Sequence, residues 1–340
     1  MNKRTTGFRF WRVAWLFVLT ACSPAGPNLD AGSTAGGAAG GVIGGGGSAA
    51  GGSAAGGSAG GVPSDGGLLQ FVDCPQFIAN ETVAIASITG GLATLLKLSD
   101  GGTRIEAFVG SDCALTRVRS MSAPTPTLFA TMVSDARSVL YYGTAGLSFV
   151  EFDLDAGVLQ TLTRATSAIS VTADGLTAYT AFVGDPQRST RPNLSSNFSA
   201  DSTFNPSLRL RFVNALVTRG DRVFALGSED FNTPKQIFVL GLDGGVSATW
   251  GATTAFAPDG FCSFHGATLC GTSDLCIVDA NCRRFSQWTA QGQQRARFSF
   301  NFTGPGSGQP KSVAAAPGAK AWVLLLQPDG GHTLGVVSGL

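Results

Sequence analysis

The chain has 340 residues, with 23 Lys and Arg side chains against 22 Asp and Glu, 47 glycines, seven cysteines and two histidines. A formal charge of +1 provides no basic surface for nucleic acid, and a hydrophobic fraction of 44% excludes a chain that is disordered throughout. Two histidines leave few ways to build a multi-histidine metal centre or a proton relay. We therefore predict no cofactor, no metal site and no catalytic residue.

The first 21 residues have the pattern of an export signal. Four basic residues precede an apolar run, residues 13–19, that is too short to span about 30 Å of hydrocarbon as a permanent helix. The run ends in Leu19-Thr20-Ala21-Cys22, which resembles the lipobox of bacterial lipoproteins. The resemblance implies cleavage before Cys22 and stable anchoring through more than one acyl chain attached to Cys22.

The residue after Cys22 bears on the membrane in which the protein resides. Ser23 stands where, in the lipoprotein family, an Asp would favour retention in the inner membrane. The resemblance therefore implies an extracytoplasmic protein of the outer membrane, on either the periplasmic or the surface face. The alternative is an ordinary secretory signal that leaves Cys22 as a plain thiol.

Residues 22–67 form a predicted tether between the lipidated cysteine and the rest of the chain. Residues 23–67 contain 18 Gly, 10 Ala and 6 Ser in 45 positions, so they have almost nothing to bury. A flexible chain of this length has a root-mean-square span of about 37 Å. We expect it to hold the remaining residues, 68–340, away from the membrane.

Residues 68–340 repeat a unit of two short apolar strands joined by an acidic or glycine turn. The acids of five such units are Asp100, Asp155, Asp243, Asp279 and Asp329. A second series of turns has a mean step of about 45 residues, within the range of repeat architectures, and consists of Gly91, Asp135, Asp174, Asp221, Asp259 and Pro317-Gly318.

A period of this length with several strands in each copy is typical of a β-propeller. Residues 149–163 and 171–182 resemble blade sequences of the broad bacterial propeller superfamily. We predict an all-β fold of about six four-stranded blades, with five or seven as the other possible counts and a pair of β-sandwiches as the alternative fold. Residues 68–72 are predicted to complete the last blade.

Six cysteines remain once Cys22 is lipidated, an even number suited to disulfides in an oxidising compartment. We prefer the pairs Cys74 with Cys113, Cys262 with Cys270, and Cys276 with Cys282, among the 15 possible connectivities. The alternative is a zinc site built from the last four cysteines and His265, although they lack the tight spacing that structural zinc sites use.

The longest polar interruption of the repeats, residues 184–207, is the best candidate for a binding loop. It contains the side chains Arg188, Arg191, Phe198 and Phe204. Both histidines, His265 and His332, are interpreted as turn residues. Asp153 and Asp155 alternate as in a calcium loop, but the remaining ligands are missing, so a strand entering a turn explains them more simply.

These features predict a lipid-anchored propeller that binds a protein, glycan or envelope component without performing chemistry. The alternative is a hydrolase or lyase that acts on polysaccharide or peptide, and a structural surface protein is a third possibility. Carboxylates or a histidine converging at one mouth of the central channel would favour an enzyme. A mouth lined by neutral polar and aromatic groups would favour binding.

Overall fold

The computed structural model describes residues 69–77, 81–124, 131–144, 148–163, 166–181, 184–206, 209–230, 233–255, 257–271, 273–301 and 307–340. The predicted signal, Cys22 and the predicted tether lie outside the described residues. The part of the chain that is described contains strands and turns. Within it, no helix is long and apolar enough to cross a membrane.

Twenty-four strands in the described residues form six four-stranded antiparallel sheets, which we call blades 1 to 6. Blade 1 consists of β2 (Thr82–Ile88), β3 (Gly91–Lys97), β4 (Thr103–Ser111) and β5 (Ala114–Ser122). Blade 2 consists of β6 (Met132–Ser134), β7 (Leu140–Thr144), β8 (Ser148–Asp153) and β9 (Gly157–Thr163). Blade 3 consists of β10 (Ala168–Val171), β11 (Thr177–Ala181), β12 (Gln187–Thr190) and β13 (Ser199–Ala200).

The remaining three blades have the same arrangement. Blade 4 consists of β14 (Phe212–Arg219), β15 (Arg222–Ser228), β16 (Gln236–Leu240) and β17 (Val246–Trp250). Blade 5 consists of β18 (Phe264–Cys270), β19 (Asp274–Asp279), β20 (Arg284–Trp288) and β21 (Gln294–Ser299). Blade 6 consists of β22 (Gln309–Ala316), β23 (Lys320–Leu326), β24 (His332–Ser338) and β1 (Gln70–Asp73).

The first strand of each blade is the inner strand, and these strands contact one another around a closed circle. β2 packs against β6, β6 against β10, and so on through β22, which packs against β2. This circular order confirms the predicted propeller with six four-stranded blades. We call the end of the ring where the inner strands begin the entry end, and the end where they turn into the second strand the turn end.

The N-terminal strand closes the ring, as predicted. β1 pairs with β24 in antiparallel register, with Gln70 opposite Ser338 and Asp73 opposite Gly335. The disulfide between Cys74 and Cys113 then joins the edge of blade 6 to the β4–β5 turn of blade 1. The last blade is thus completed by the first strand and linked covalently to the first blade.

Each interface between consecutive blades contains one cluster of buried hydrophobic residues. Between blades 4 and 5, for example, Phe224 and Ile237 pack with Ile277 and Trp288. The same arrangement recurs at the other five interfaces among the described residues. Because a blade is covered on both faces, its middle strands are continuous apolar runs such as AWVLLL in β23. Burial of each large side chain contributes about 1.5–3 kcal/mol.

The two predicted series of turn residues agree with the observed turns to different extents. The second series marks the turn after the inner strand in five blades, but Asp259 precedes β18, and no member of the series lies between β18 and β19 in blade 5. The first series mixes two kinds of turn. Asp100 and Asp329 follow second strands and Asp279 ends one, whereas Asp155 and Asp243 follow third strands. Four of these acids accept a backbone N–H group of their turn, and in the remaining turn Asp153 does so instead of Asp155.

The structure contains the predicted disulfide bonds, but two of the three preferred pairs are wrong. Cys262 is bonded to Cys282, and Cys270 to Cys276. Cys270 ends β18 and Cys276 lies in β19, so the tight turn between these paired strands brings them together. Cys282 lies in the turn after β19, which returns to the start of β18 beside Cys262. Strand pairing therefore decided the connectivity, rather than nearness in sequence.

Candidate functional site

The larger of the two cavities described for the central channel lies at the turn end of the ring, and we call it the wide cavity. This cavity has a volume of about 310 Å³ and is lined by all six inner strands and two of the turns that follow them. Small residues such as Ala136, Ala173 and Ala315 form much of the wall. The hydroxyl groups in the wall belong to Ser87, Ser134, Ser170, Thr218 and Thr268.

Several of these hydroxyl groups tie neighbouring inner strands together. The Oγ of Ser134 donates a hydrogen bond to the carbonyl oxygen of Ser87. The Oγ of Ser170 lies 3.0 Å from Oγ1 of Thr218 and accepts a 2.8 Å hydrogen bond from the Thr218 backbone N–H. Since a hydroxyl oxygen has two acceptor lone pairs, Thr218 Oγ1 retains acceptor capacity beside the channel.

Asp135 is the one acidic residue among the described lining residues, and its charge is neutralised. Its carboxylate accepts a 2.8 Å hydrogen bond from Nε of Arg137, and backbone N–H groups of Arg137 and Val139 lie 2.9 and 3.1 Å from Oδ1. The Tyr141 hydroxyl lies 3.0 Å from Oδ2. Burial raises the pKa of Tyr141, and the nearby Glu151 charge raises that pKa further. The cavity is therefore lined by neutral or internally paired groups.

A buried ion pair lies behind Asp135, between blades 2 and 3. Both terminal nitrogens of Arg191 are 2.9 Å from the Glu151 carboxylate oxygens, and the two side chains are 1% and 2% exposed. Arg191 also donates to the carbonyl oxygen of Gly175 at 2.8 Å and lies over the ring of Phe198, 4.3 Å from its centroid. These contacts hold residues 191–198 against blades 2 and 3 of the propeller.

The predicted binding loop is thus not one long loop. Residues 184–206 include β12 and β13, and Arg191, Phe198 and Phe204 are buried. Arg188 is partly buried, donates a 2.9 Å hydrogen bond to Asp201, and lies over the Phe204 ring. A binding role for these four residues stays a prediction, and Arg188 is the one that retains appreciable exposure.

The entry end of the channel is narrower and contains a histidine. At this end lies a cavity of about 20 Å³, which we call the narrow cavity. Its lining residues include Thr131, His265 and Ser312. Burial lowers the pKa of His265 to about 4, and the charge of Lys311 lowers it as well. The imidazole is therefore neutral at pH 7. Contrary to the turn interpretation, His265 is the second residue of β18 and His332 is the first residue of β24.

Three groups of the kind that bind metals meet near the entry end of blade 5. Ligand-type atoms of Cys262, Asp279 and Cys282 lie within 4.8 Å of one another. The two sulfur atoms are bonded to each other, however. Asp279 accepts backbone N–H groups of Cys262, Ser263 and Cys282 at 2.7 to 3.2 Å. These contacts explain the group as a structural element that holds the start of β18.

The pair of acids considered for calcium also has a structural role. The Oδ1 of Asp153 accepts backbone N–H groups of Asp155 and Ala156 at 2.7 and 2.9 Å. Asp155 is exposed and pairs with Arg119 of blade 1. The alternation of the two acids thus follows from the turn between β8 and β9.

No protein-family model matches the chain, and neither does any curated protein. Among solved structures, a streptogramin B lyase is 9% identical and aligns with a TM-score of 0.50 over 79% of this chain and 97% of its own. Virginiamycin B lyase from Staphylococcus aureus is 10% identical, with a TM-score of 0.47 over 79% and 98% of the two chains. The β-propeller domain of Cps50 (Swd1) from Myceliophteria thermophila is 12% identical, with a TM-score of 0.47 over 77% and 97%. At such identities the similarity concerns the fold alone, and the described part of the chain is a six-bladed β-propeller.

Proposed function

We propose that the chain is an exported, lipid-anchored propeller that binds an uncharged, hydroxyl-rich ligand, a glycan of the cell envelope, without catalysis. The observation that supports this proposal is the neutral wall of the wide cavity at the turn end. Its hydroxyl oxygens provide acceptors for the hydroxyl groups of a ligand, and its one acid is neutralised by Arg137.

The dimensions of the wide cavity support a small ligand or the end of a larger one. Ligand sites have volumes of about 300–1,000 Å³, and this cavity, at about 310 Å³, lies at the lower limit. A sugar ring presents alternating hydroxyl and C–H groups, which match a wall of Ser, Thr and Ala side chains. A charged ligand would lose hydration without gaining an ionic partner, since the Asp135 carboxylate is already occupied.

Two features support an extracytoplasmic location. The sequence Leu19-Thr20-Ala21-Cys22 follows a short apolar run, as in lipoprotein signals. The three disulfides suit an oxidising compartment. The predicted tether would let the propeller reach a ligand some distance from the membrane to which Cys22 is attached.

A hydrolase or lyase is the alternative, and His265 at the narrow end of the channel is the observation that favours it. A general acid or base near pH 7 needs a pKa close to that value, whereas burial lowers the pKa of His265 to about 4. The nearby Asp279 is held by three backbone N–H groups. Binding therefore fits the geometry better than catalysis.

The binding proposal is tested by filling the mouth of the wide cavity. Ala136 and Ala173 are exposed lining residues, so Ala136→Trp and Ala173→Trp should occupy the mouth without disturbing the core. Ala156→Trp, in the exposed β8–β9 turn, is the matched control. We expect the full-length protein to bind purified envelope glycans in calorimetric titrations, and each mouth variant to weaken that affinity about tenfold or more. The proposal fails if the parent protein binds no glycan or if the mouth variants bind like the control.

The partner and the location are tested together by crosslinking in intact cells followed by mass spectrometry. We expect crosslinks between residues at the turn end and an envelope component outside the cytoplasm. Crosslinks to cytoplasmic proteins would contradict the proposed location. Release of a chemically altered glycan product by the purified protein would instead support the hydrolase or lyase alternative.

A further inference from the structure

Lys311, in the inner strand of blade 6, is a partly buried cation with no carboxylate partner. Every Asp and Glu from Asp73 onward belongs to the described residues, and none of them forms a salt bridge with Lys311. Burial lowers the pKa of this ammonium group, which means that its charged form is less stable there than in water. An anion bound at this position would offset the cost of removing the ammonium group from water.

The charge of this lysine acts on both histidines of the chain. Blades 5 and 6 approach closely here, because a Cβ atom at Gly266 would lie 3.3 Å from the Cα of Ser312. This approach places His265 of β18 next to the segment that contains Lys311. His332 begins β24, in the same blade as Lys311. Burial lowers the pKa of both imidazoles, and the charge of Lys311 lowers them further, so both rings are neutral N–H donors at pH 7.

The nearest acid, Asp279, is unable to serve as the missing partner. Its charge acts on His265, but its oxygens are occupied by backbone N–H groups of Cys262, Ser263 and Cys282. Arg284 lies 3.3 Å from the same carboxylate and balances its charge. The surroundings of Lys311 therefore retain one unbalanced positive charge.

Ser312 provides a further donor at this position. Its Oγ accepts a 3.3 Å hydrogen bond from the backbone N–H of Ile85, so the hydroxyl hydrogen remains available to a ligand. Ser312 and His265 both line the narrow cavity at the entry end. His265 and Ser312 thus share this cavity, and Lys311, which precedes Ser312 in β22, is the one charge among these groups and acts on both imidazoles.

We propose that Lys311, His265, His332 and Ser312 form a binding site for a single carboxylate group. A carboxylate matches the one positive charge, whereas a phosphate dianion would leave a second negative charge without a partner. The site is distinct from the proposed glycan site, because none of its four residues lines the wide cavity. Its ligand is a small organic acid or the acidic group of a larger molecule.

The test uses the fact that the chain contains only the two histidines of this site. Imidazole C–H signals in proton NMR spectra of the full-length protein therefore report on it directly. Sodium acetate is titrated at pH 7 against sodium chloride at matched ionic strength. We expect saturable shifts of both histidine signals with acetate and none with chloride. Shifts that grow linearly, or equally with both salts, would overturn the proposal.

Variants at lysine positions provide the second measurement. Lys311→Met should reduce the affinity for acetate about tenfold or more. Lys235→Met is the matched control, since Lys235 is also a partly buried lysine, but donates to Ser228 Oγ at 2.8 Å in blade 4. If Lys311→Met does not fold, Lys311→Arg preserves the charge and should retain binding. Equal acetate affinity in Lys311→Met and the parent protein, or tighter binding of inorganic phosphate than of acetate, would contradict the proposed site.

Discussion

Arg191 and Glu151 form a bidentate ion pair, in which both N–O distances are 2.9 Å and neither side chain is more than 2% exposed. The pair joins the segment after β12 to β8 and so connects blade 3 to blade 2. The Tyr141 hydroxyl lies 3.2 Å from Glu151 and 3.0 Å from Asp135, which extends the polar network to the wall of the channel.

Breaking this pair should be strongly destabilising. Arg191→Met leaves the Glu151 carboxylate buried without its partner, which costs about 3–5 kcal/mol of unfolding free energy. The double change Arg191→Met with Glu151→Leu should cost clearly less than the two single changes together. Arg119→Met, which removes an exposed pair with Asp155, is the control and should cost under about 1 kcal/mol. Urea unfolding gives all these values, and an Arg191→Met variant as stable as the control would show that the pair contributes little.

Removal of the disulfide that closes the ring should cost more than removal of the disulfide inside one hairpin. Cys74 and Cys113 are 39 residues apart, whereas Cys270 and Cys276 are 6 apart. The chain-entropy model gives about 4 kcal/mol for the first bond and about 2 kcal/mol for the second. Denaturant unfolding of the two paired Cys→Ser variants measures the difference. The opposite order would indicate that strain or residual structure outweighs loop entropy.

Stability should fall as the pH is lowered through the range in which His265 takes up a proton. The pKa of His265 is lowered to about 4 in the folded protein, against about 6.5 when unfolded. The unfolded chain therefore binds more protons between these values, and the folded state loses up to about 3 kcal/mol as the pH falls from about 6.5 to about 4.

The contribution of His265 can be separated from that of the carboxylates, which titrate at the lower end of the same range. His265→Gln removes the titrating ring and preserves a polar side chain. The unfolding free energy is measured between pH 7 and pH 4, and each value is compared with the value of the same protein at pH 7. It should fall less steeply for this variant than for the parent protein. Parallel pH profiles for the two proteins would mean that the ring titrates alike in both states.

Replacement of Cys22 should separate the protein from the membrane. Cys22→Ser removes the thiol that the lipobox resemblance assigns to lipidation, and with it the acyl chains that would provide stable anchoring. We expect the variant in the soluble extracytoplasmic fraction and the parent protein in the membrane fraction, as measured by cell fractionation and immunoblotting. Retention of the variant in membranes would refute the lipid anchor.

Sequence patterns predicted the ring well because turn chemistry is local. Asp135, Asp174 and Asp221 mark the turn after an inner strand, and the first two accept N–H groups of the following residues. Blade 5 departs from the pattern because the bond between Cys270 and Cys276 holds its first hairpin instead. Closure of the ring was also predicted, since the predicted segment, residues 68–72, overlaps β1, which pairs with β24.

The candidate sites could not be predicted in the same way. Polar residues 184–207 suggested a binding loop, yet Arg191 is buried because Glu151, forty residues earlier, lies opposite it in the neighbouring blade. Likewise, His265 and Lys311 come together only because blades 5 and 6 are adjacent and Gly266 allows close approach. Contacts between blades depend on how the sheets pack, and no spacing in the sequence records them. The pairing of the last four cysteines was missed for a different reason, because it follows from the pairing of β18 with β19 inside blade 5.

The closure of the ring, by β1 on β24 and by the bond between Cys74 and Cys113, has a mechanical consequence for a protein held by its N-terminus. A pull on the chain before Gln70 acts first on β1, a strand of four residues paired on one side with β24. Once those few hydrogen bonds give way, the force reaches Cys74, whose bond to Cys113 transmits it directly into blade 1. Peeling would therefore stop at a covalent joint, and β2, β3 and β4, which lie between the two bonded cysteines in the chain, would be shielded from tension.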